Sequence, residues 1–257
     1  MHSFISPPFE PILFGIQVNL HLVLAYAAFI IGFRYYVVLR RKSADPISSN
    51  NRLSIIIGAI FGALLFSRVF AFLEDPLIHS TQGWLALLNN KTIMGGLFGG
   101  LLGVELMKKF IGEKQSSGDL FTLPIILGII IGRIGCFLAG VKEFTFGTVT
   151  NMIFGMDLGD GMLRHPITLY EVVFLVILFV IIWRLNKKPH RFSSGTYFKI
   201  FMVSYFAFRF LIEFIKPNTF LILGLSSIQY LCVLCLLYYH KTIRKGIAYA
   251  YQKLHLL

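Results

Sequence analysis

Charge is scarce in this sequence. Asp, Glu, Lys and Arg make up 14% of its 257 residues, against about a quarter in a soluble globular chain. Hydrophobic residues reach 56% and mean hydropathy is +0.74. A water-soluble enzyme and a disordered chain are both excluded by these figures. Cysteine is scarce too; three cysteines cannot staple a secreted domain. Acids are outnumbered, 12 against 24 basic residues. No Walker loop, dinucleotide fingerprint, H-E-x-x-H or G-x-S-x-G occurs, and neither does a fixed-period repeat or a low-complexity tract. What remains is an integral membrane protein.

Long apolar runs are abundant. Seven stretches suit the roughly 20 residues of a bilayer crossing, near 12–38, 53–73, 92–107, 119–141, 166–184, 196–215 and 219–239. The first lacks a basic leader and a small-residue cleavage site, so a retained helix is expected there. Basic residues alternate between the connections. Arg40, Arg41, Lys42 and Arg52 follow the first stretch; Lys108, Lys109 and Lys114 the third; Arg184, Lys187, Lys188 and Arg191 the fifth. Lys241, Arg244, Lys245 and Lys253 lie in the tail. The opposite set holds only Lys91, Lys142, Arg164 and Lys216. The positive-inside rule puts the N-terminus outside and the C-terminus in the cytoplasm. The basic loops need no nucleic-acid partner. The expected architecture is an all-α integral membrane protein, residues 1–257 forming a single transmembrane domain with seven helices. Gly159-Asp160-Gly161 marks turns in a long connection at about 142–165, expected to fold as an extracytoplasmic cap.

Several charges fall inside the apolar stretches. Arg34 and Lys199 lie near cytoplasmic ends and reach water by snorkelling; Glu105 is near an inner end. The others have no such excuse. Arg68 lies fifteen residues after Leu53, Arg133 fourteen after Asp119 and Arg209 thirteen after Thr196. At 1.5 Å per residue, these rises agree to within about 3 Å. Three arginines are thus expected at one depth in the outer half of the membrane. Glu213, four residues after Arg209, shares its helix face. Glu171 and Tyr170 open the fifth stretch behind Arg164 and His165, and His21 falls in the outer half of the first. Each mid-membrane charge costs roughly 2.5–3.5 kcal/mol on insertion scales. Arg209 with Glu213 and Arg133 with Glu171 are the available internal pairs; a positive excess is left over. Guanidinium forks suit phosphate oxygens, so a lipid-linked phosphate is the expected ligand.

Around these charges lie short motifs. Gly132-Arg133-Ile134-Gly135-Cys136 and Gly140 place glycines beside a buried arginine, and Gly95, Gly96, Gly99, Gly100 and Gly103 form a small-residue seam expected to pack helix on helix. Arg164-His165-Pro166 starts a helix with proline where its missing N–H does no harm, and His165 is a candidate proton acceptor. Cys232 and Cys235 form a C-x-x-C inside an apolar helix, with no second ligand pair, so packing is expected rather than metal. Cys136 is expected to be a small apolar filler, with reactivity as the alternative.

Gly132-Arg133-Ile134-Gly135, the downstream Gly140 and Gly147, Arg164-His165-Pro166 with Leu169-Tyr170-Glu171, and Arg209-Phe-Leu-Ile-Glu213 together resemble the prolipoprotein diacylglyceryl transferase family. The Gly-Gly-Leu of the third stretch and Asp119 also fit, and the order holds over nearly the whole chain. The resemblance implies a bacterial inner-membrane enzyme with its site toward the periplasm and no cofactor or metal. It implies transfer of diacylglyceryl from phosphatidylglycerol to the lipobox cysteine thiol of a prelipoprotein signal peptide, releasing glycerol phosphate. Arg133 would bind the lipid, with Gly132, Gly135, Cys136, Gly147, Arg68, Tyr170, Glu171, His21, Tyr26, Gly95 and Gly96 around the substrates. Arg209 and Glu213 would be the essential pair, with His165 and Glu143 as further catalytic candidates. Met94 stands where the family commonly has His, and Cys136 where it has Asn. His165, His21 and Glu143 are the alternative bases. Two other readings stay open: a related enzyme using another phospholipid or acceptor, and a lipid-binding or transport protein without chemistry.

Overall fold

A computed structural model describes residues 7–43, 45–74, 76, 90–187, 192–218 and 220–254. Eight α-helices are present among them: α1 Leu20–Lys42, α2 Ser49–Glu74, α3 Ile93–Phe110, α4 Asp119–Ala139, α5 Ile167–Asn186, α6 Thr196–Ile212, α7 Ser227–Tyr238 and α8 His240–Leu254. Each of the seven expected stretches holds one of α1–α7. Among the described residues four spans are long and apolar enough to cross a membrane by length and composition: α1, α2, α5, and α4 continued to Lys142. The protein is therefore a mostly helical membrane protein. Lys188 and Arg191, which entered the charge argument, lie outside the described residues.

Local chemistry sets the helix ends. Asn19 caps α1 by accepting from the Leu22 N–H at 3.0 Å, and Arg40, Arg41 and Lys42 close its last turn, where cations complement the helix dipole. Thr92 caps α3 through the Gly95 N–H, and Ser226 with Gln229 forms a reciprocal capping box on α7. The first helix begins eight residues later than expected. Ile12–Leu13 (β1) and Ile16–Gln17 (β2) instead pair antiparallel. Phe14 and Gly15 both take positive φ, as a two-residue turn matching strand twist requires. Arg52, expected in a connection, sits inside α2 and is buried against Asp45.

Two compact units divide the chain. The first comprises Met1–Ala44, Ser117–Phe198 and Phe214–Pro217; the second Asp45–Ser116, Lys199–Glu213 and Asn218–Leu257. In the first, α1 packs on α4. Gly32 approaches the Pro124 carbonyl, Gly128 the Ala28 carbonyl and Gly135 the His21 backbone. Farther along the pair, Tyr36 stacks on Phe121 with centroids 4.3 Å apart. Asp119 opens α4 and accepts from the Gly195 and Phe198 N–H groups at 2.6 and 3.0 Å, holding the start of α6. In the second unit, α2 and α3 meet backbone to backbone. A Cβ on Gly62 would lie 2.2 Å from the Gly99 carbonyl oxygen, and one on Gly103 2.1 Å from that of Gly58. The glycine seam is thus a packing device.

Polarity is inverted relative to a water-soluble protein. Phe29, Ile30 and Phe33 on α1 and Val173, Ile177 and Ile181 on α5 are exposed, whereas Arg133, Glu171, Arg209 and Glu213 are buried. Apolar outward faces and interior charges are the arrangement a lipid solvent imposes.

Candidate active site

In the first unit, the start of α1, the end of α4 and the start of α5 meet. Arg133, one and a half turns before the end of α4, donates its Nε to Glu171 Oε1 at 2.7 Å. The two are 6% and 1% exposed. Burying a charge pair carries a desolvation cost that mutual attraction offsets only with good geometry, so a pair this short and dry ties α4 to α5 firmly. The Arg–Glu pairing available in the sequence is present. Gly132 flanks the arginine with open space where a Cβ would stand.

One turn onward, Cys136 Sγ lies 3.7 Å from His21 Nε2. The other ring nitrogen, Nδ1, lies 3.0 Å from Glu143 Oε1. Gly135 makes the approach possible: a Cβ there would already stand 3.2 Å from Leu24 Cβ and 3.4 Å from the His21 ring. Cys136, for which apolar filler and reactivity are the two readings, is half-buried against an imidazole. Periodicity could not reveal this, because the three residues are 115 and seven positions apart in sequence and meet only through helix packing and the turn after α4. That turn is a 3-10 segment, Gly140–Lys142. Gly140 has φ +59°, and a Cβ would fall 2.2 Å from the Leu158 carbonyl oxygen. Any other residue there would displace the segment carrying Glu143.

The connection after it folds as a hairpin. Met156–Asp157 (β3) pairs antiparallel with Leu163–Arg164 (β4). Asp157 accepts from the Gly159 and Gly161 N–H groups, organising the turn. Asp160 pairs with Arg164 at 2.7 Å, and that hydrogen bond holds the Asp160 carboxyl below its ordinary range. Gly147 packs on His165, donating to its carbonyl at 3.0 Å, and Thr148 donates to the Ile215 carbonyl. Lys216, expected in a connection, is buried with its ammonium 4.5 Å from the Phe144 ring. His165 Nδ1 lies 3.3 Å from the Tyr170 hydroxyl. Tyr170 also lines an open apolar groove of about 730 Å³, with Ile153, Phe154, Met156, Leu169 and Val173. Tyr26 is largely exposed on α1 and joins none of these contacts.

The second unit carries the other candidates. Arg209 Nη2 donates to Glu213 Oε2 at 3.0 Å, the pair 5% and 1% exposed. Gln229 of α7 donates to the Phe210 carbonyl beside them. Arg68 is half-buried on α2, next to Ser67, whose carbonyl accepts from Thr92. Gly95 fits against the Phe66 carbonyl, and a Cβ on Gly96 would make only ordinary contact with Ser67. Met94 is fully buried. Cys232 and Cys235 are buried and unbridged, as packing residues should be. Among the described residues no cluster of His, Cys, Asp and Glu has the arrangement of a metal site.

Helices with lipid-facing apolar surfaces and interior arginine–carboxylate pairs define a helical membrane protein built to hold charge within the bilayer. The chain matches the model of the prolipoprotein diacylglyceryl transferase family over residues 11–242, and it belongs to that family. A phosphatidylglycerol–prolipoprotein diacylglyceryl transferase of Bordetella parapertussis is 32% identical over 196 residues, covering 70% of this chain and 69% of the relative. One of Solidesulfovibrio magneticus is 30% identical over 237 residues, 83% of each. One of Nitrosomonas europaea is 28% identical over 246 residues, 87% of this chain and 83% of the relative.

Proposed function

We propose that the protein transfers diacylglyceryl from phosphatidylglycerol to the lipobox cysteine thiol of prelipoproteins. It would do so in the bacterial inner membrane, as one transmembrane domain of seven crossings. The N-terminus lies outside, the C-terminus is cytoplasmic and the site faces the periplasm. Arg133 carries the assignment: a guanidinium buried at the end of a membrane helix, with one nitrogen on Glu171 and its planar fork suited to lipid phosphate.

The acceptor sulfur attacks the glyceryl carbon that bears the phosphate ester. The carbon–oxygen bond breaks, glycerol phosphate departs, and a thioether forms. Charge grows on the departing phosphate, and fixed guanidinium donors in a water-poor site stabilise it without reorganisation. Arg133 serves this role, held in register by Glu171. Arg209, held by Glu213, and Arg68 are assigned to the same reaction. The nucleophile is a thiolate, so a proton must leave the acceptor. Both ring nitrogens of His21 are engaged, by Cys136 and Glu143; His165, beside the groove through Tyr170, is assigned as acceptor of that proton. Gly147 supports His165 from behind. The apolar groove suits an acyl chain or the hydrophobic signal peptide.

Detergent-purified protein should move radiolabelled glyceryl from phosphatidylglycerol to a lipobox peptide. Arg133→Ala should abolish the transfer. A folded wild-type protein that moves no label from phosphatidylglycerol would reject the assignment; label taken from another phospholipid would redirect it.

A further inference from the structure

The transfer just described uses no nucleophile of the protein, yet one is assembled in the first unit. Cys136, His21 and Glu143 form an ordered chain: thiol to Nε2 at 3.7 Å, Nδ1 to carboxylate at 3.0 Å. The two ring nitrogens face different partners. A metal ion would need its donors converging on one point; here the imidazole stands between its partners, as in a proton relay. The carboxylate fixes the ring orientation, and the ring is placed to take the thiol proton. All three groups remain partly accessible: Cys136 is half-buried, and the His21 and Glu143 side chains are 23% and 42% exposed. The other two cysteines are fully buried.

The location selects the electrophile. Cys136 is in the last turn of α4, His21 in the first turn of α1 and Glu143 just beyond the 3-10 turn. Ends of membrane helices lie at the interfacial level, where the ester bonds between glycerol and fatty acid also lie. Displacement at a glyceryl carbon by Cys136 would leave a thioether, a poor leaving group that would end the enzyme's use. Attack on an ester carbonyl gives a thioester, which is reversible and hydrolysable. A cavity of about 40 Å³ adjoins the relay, lined by His21, Glu143, Glu10, Asn19 and Lys142. It admits a water molecule and is far too small for a lipid chain. Lys142 is paired with Glu10 at 2.6 Å on its wall.

We infer that Cys136, His21 and Glu143 form a nucleophilic site that accepts a fatty-acyl group from a phospholipid ester. Cys136 sulfur bonds to the acyl carbonyl carbon and the carbonyl–glyceryl oxygen bond breaks. His21 takes the thiol proton and returns it to the departing oxygen, yielding a lysophospholipid and S-acyl Cys136. Water from the adjoining cavity then releases the fatty acid and restores the thiol.

The test incubates the full-length protein in detergent with vesicles of phosphatidylglycerol carrying labelled acyl chains, then maps adducts by mass spectrometry. One acyl mass on the peptide containing Cys136, removed by neutral hydroxylamine, is expected. Cys136→Ser should carry no hydroxylamine-labile label, and Glu143→Gln, which keeps the turn, should label at least tenfold more slowly. Iodoacetamide gives a second readout: an unassisted thiol is a few per cent ionised at pH 7, so Cys136 should alkylate about tenfold faster in the wild type than in His21→Ala. Ordinary alkylation rates, or no acyl mass in folded protein, would overturn the inference. A hydroxylamine-stable glyceryl adduct on an added lipobox peptide reports the separate transfer reaction, so failure of either activity is seen independently.

Discussion

Removing Arg133 tests two roles at once, and a pair of variants separates them. The Arg133–Glu171 contact is 2.7 Å long with both side chains almost wholly buried. Arg133→Met takes this partner from Glu171, and Glu171→Leu takes it from Arg133. Leaving one member of a buried pair uncompensated costs about 3–5 kcal/mol, so each single variant should melt at a lower temperature. The double variant Arg133→Met/Glu171→Leu removes both charges together. Buried pairs replaced by apolar residues of like volume are commonly neutral or stabilising, so the double variant should recover the wild-type melting point. Transfer behaves differently. A guanidinium donating two charge-assisted hydrogen bonds to phosphate supplies roughly 1.5–3 kcal/mol for each. Loss of both lowers kcat/KM by about 10²- to 10⁴-fold at 1.4 kcal/mol per decade. The double variant should therefore be stable and inactive. Thermal melts in detergent and the radiolabel assay measure the two quantities. A double variant that transfers within threefold of wild type would refute the phosphate role and leave the pair purely structural.

The second buried pair should respond with less tolerance for geometry. Arg209→Lys keeps the charge but loses the planar fork, so transfer should fall about 10- to 100-fold, while Glu213→Gln should lower the melting temperature as well; both are read in the same assays. Gly62→Ala drives a Cβ to 2.2 Å from the Gly99 carbonyl oxygen; helices α2 and α3 must separate, costing about 1–3 kcal/mol, visible as a lowered melting temperature. His165→Ala should depress transfer far more than Tyr170→Phe, which removes only the hydroxyl partner; equal losses would argue against His165 as the proton acceptor. The Asp160–Arg164 pair sets a pH window. Because the Asp160 carboxyl titrates below its ordinary value of 3.8 when folded, its contribution is fully present above that value and is lost as pH falls through the folded pKa. The melting-point difference between wild type and Asp160→Asn should thus be constant from pH 8 to pH 5 and shrink only below about 3.8; a change near neutral pH would contradict it.

Composition determined that this is a membrane protein, because 56% hydrophobic residues with 14% charge leave no water-soluble option, and apolar runs of about 20 residues determined that its spans are helical. Chain spacing also made both interior ion pairs available. Glu213 follows Arg209 by one helical turn, and Glu171 opens the apolar stretch after that of Arg133, but packing was needed to join these two. The glycine seam was legible for the same reason: small residues at helical spacing leave room only for another backbone, and α2 against α3 fills it. Other features were invisible at that level. Apolar Ile12–Gln17 counts as span in any hydropathy window, yet positive φ at Phe14 and Gly15 and the Asn19 cap make it a hairpin and delay α1. Arg52 next to a basic run looks like a loop charge until Asp45 folds back on it. Cys136, His21 and Glu143 share no periodicity; the near approach of α1 to α4 at Gly135 and the left-handed turn at Gly140 bring them within contact. Solvent preference is written residue by residue, whereas a site of three groups from three segments depends on distances that only packed backbones define.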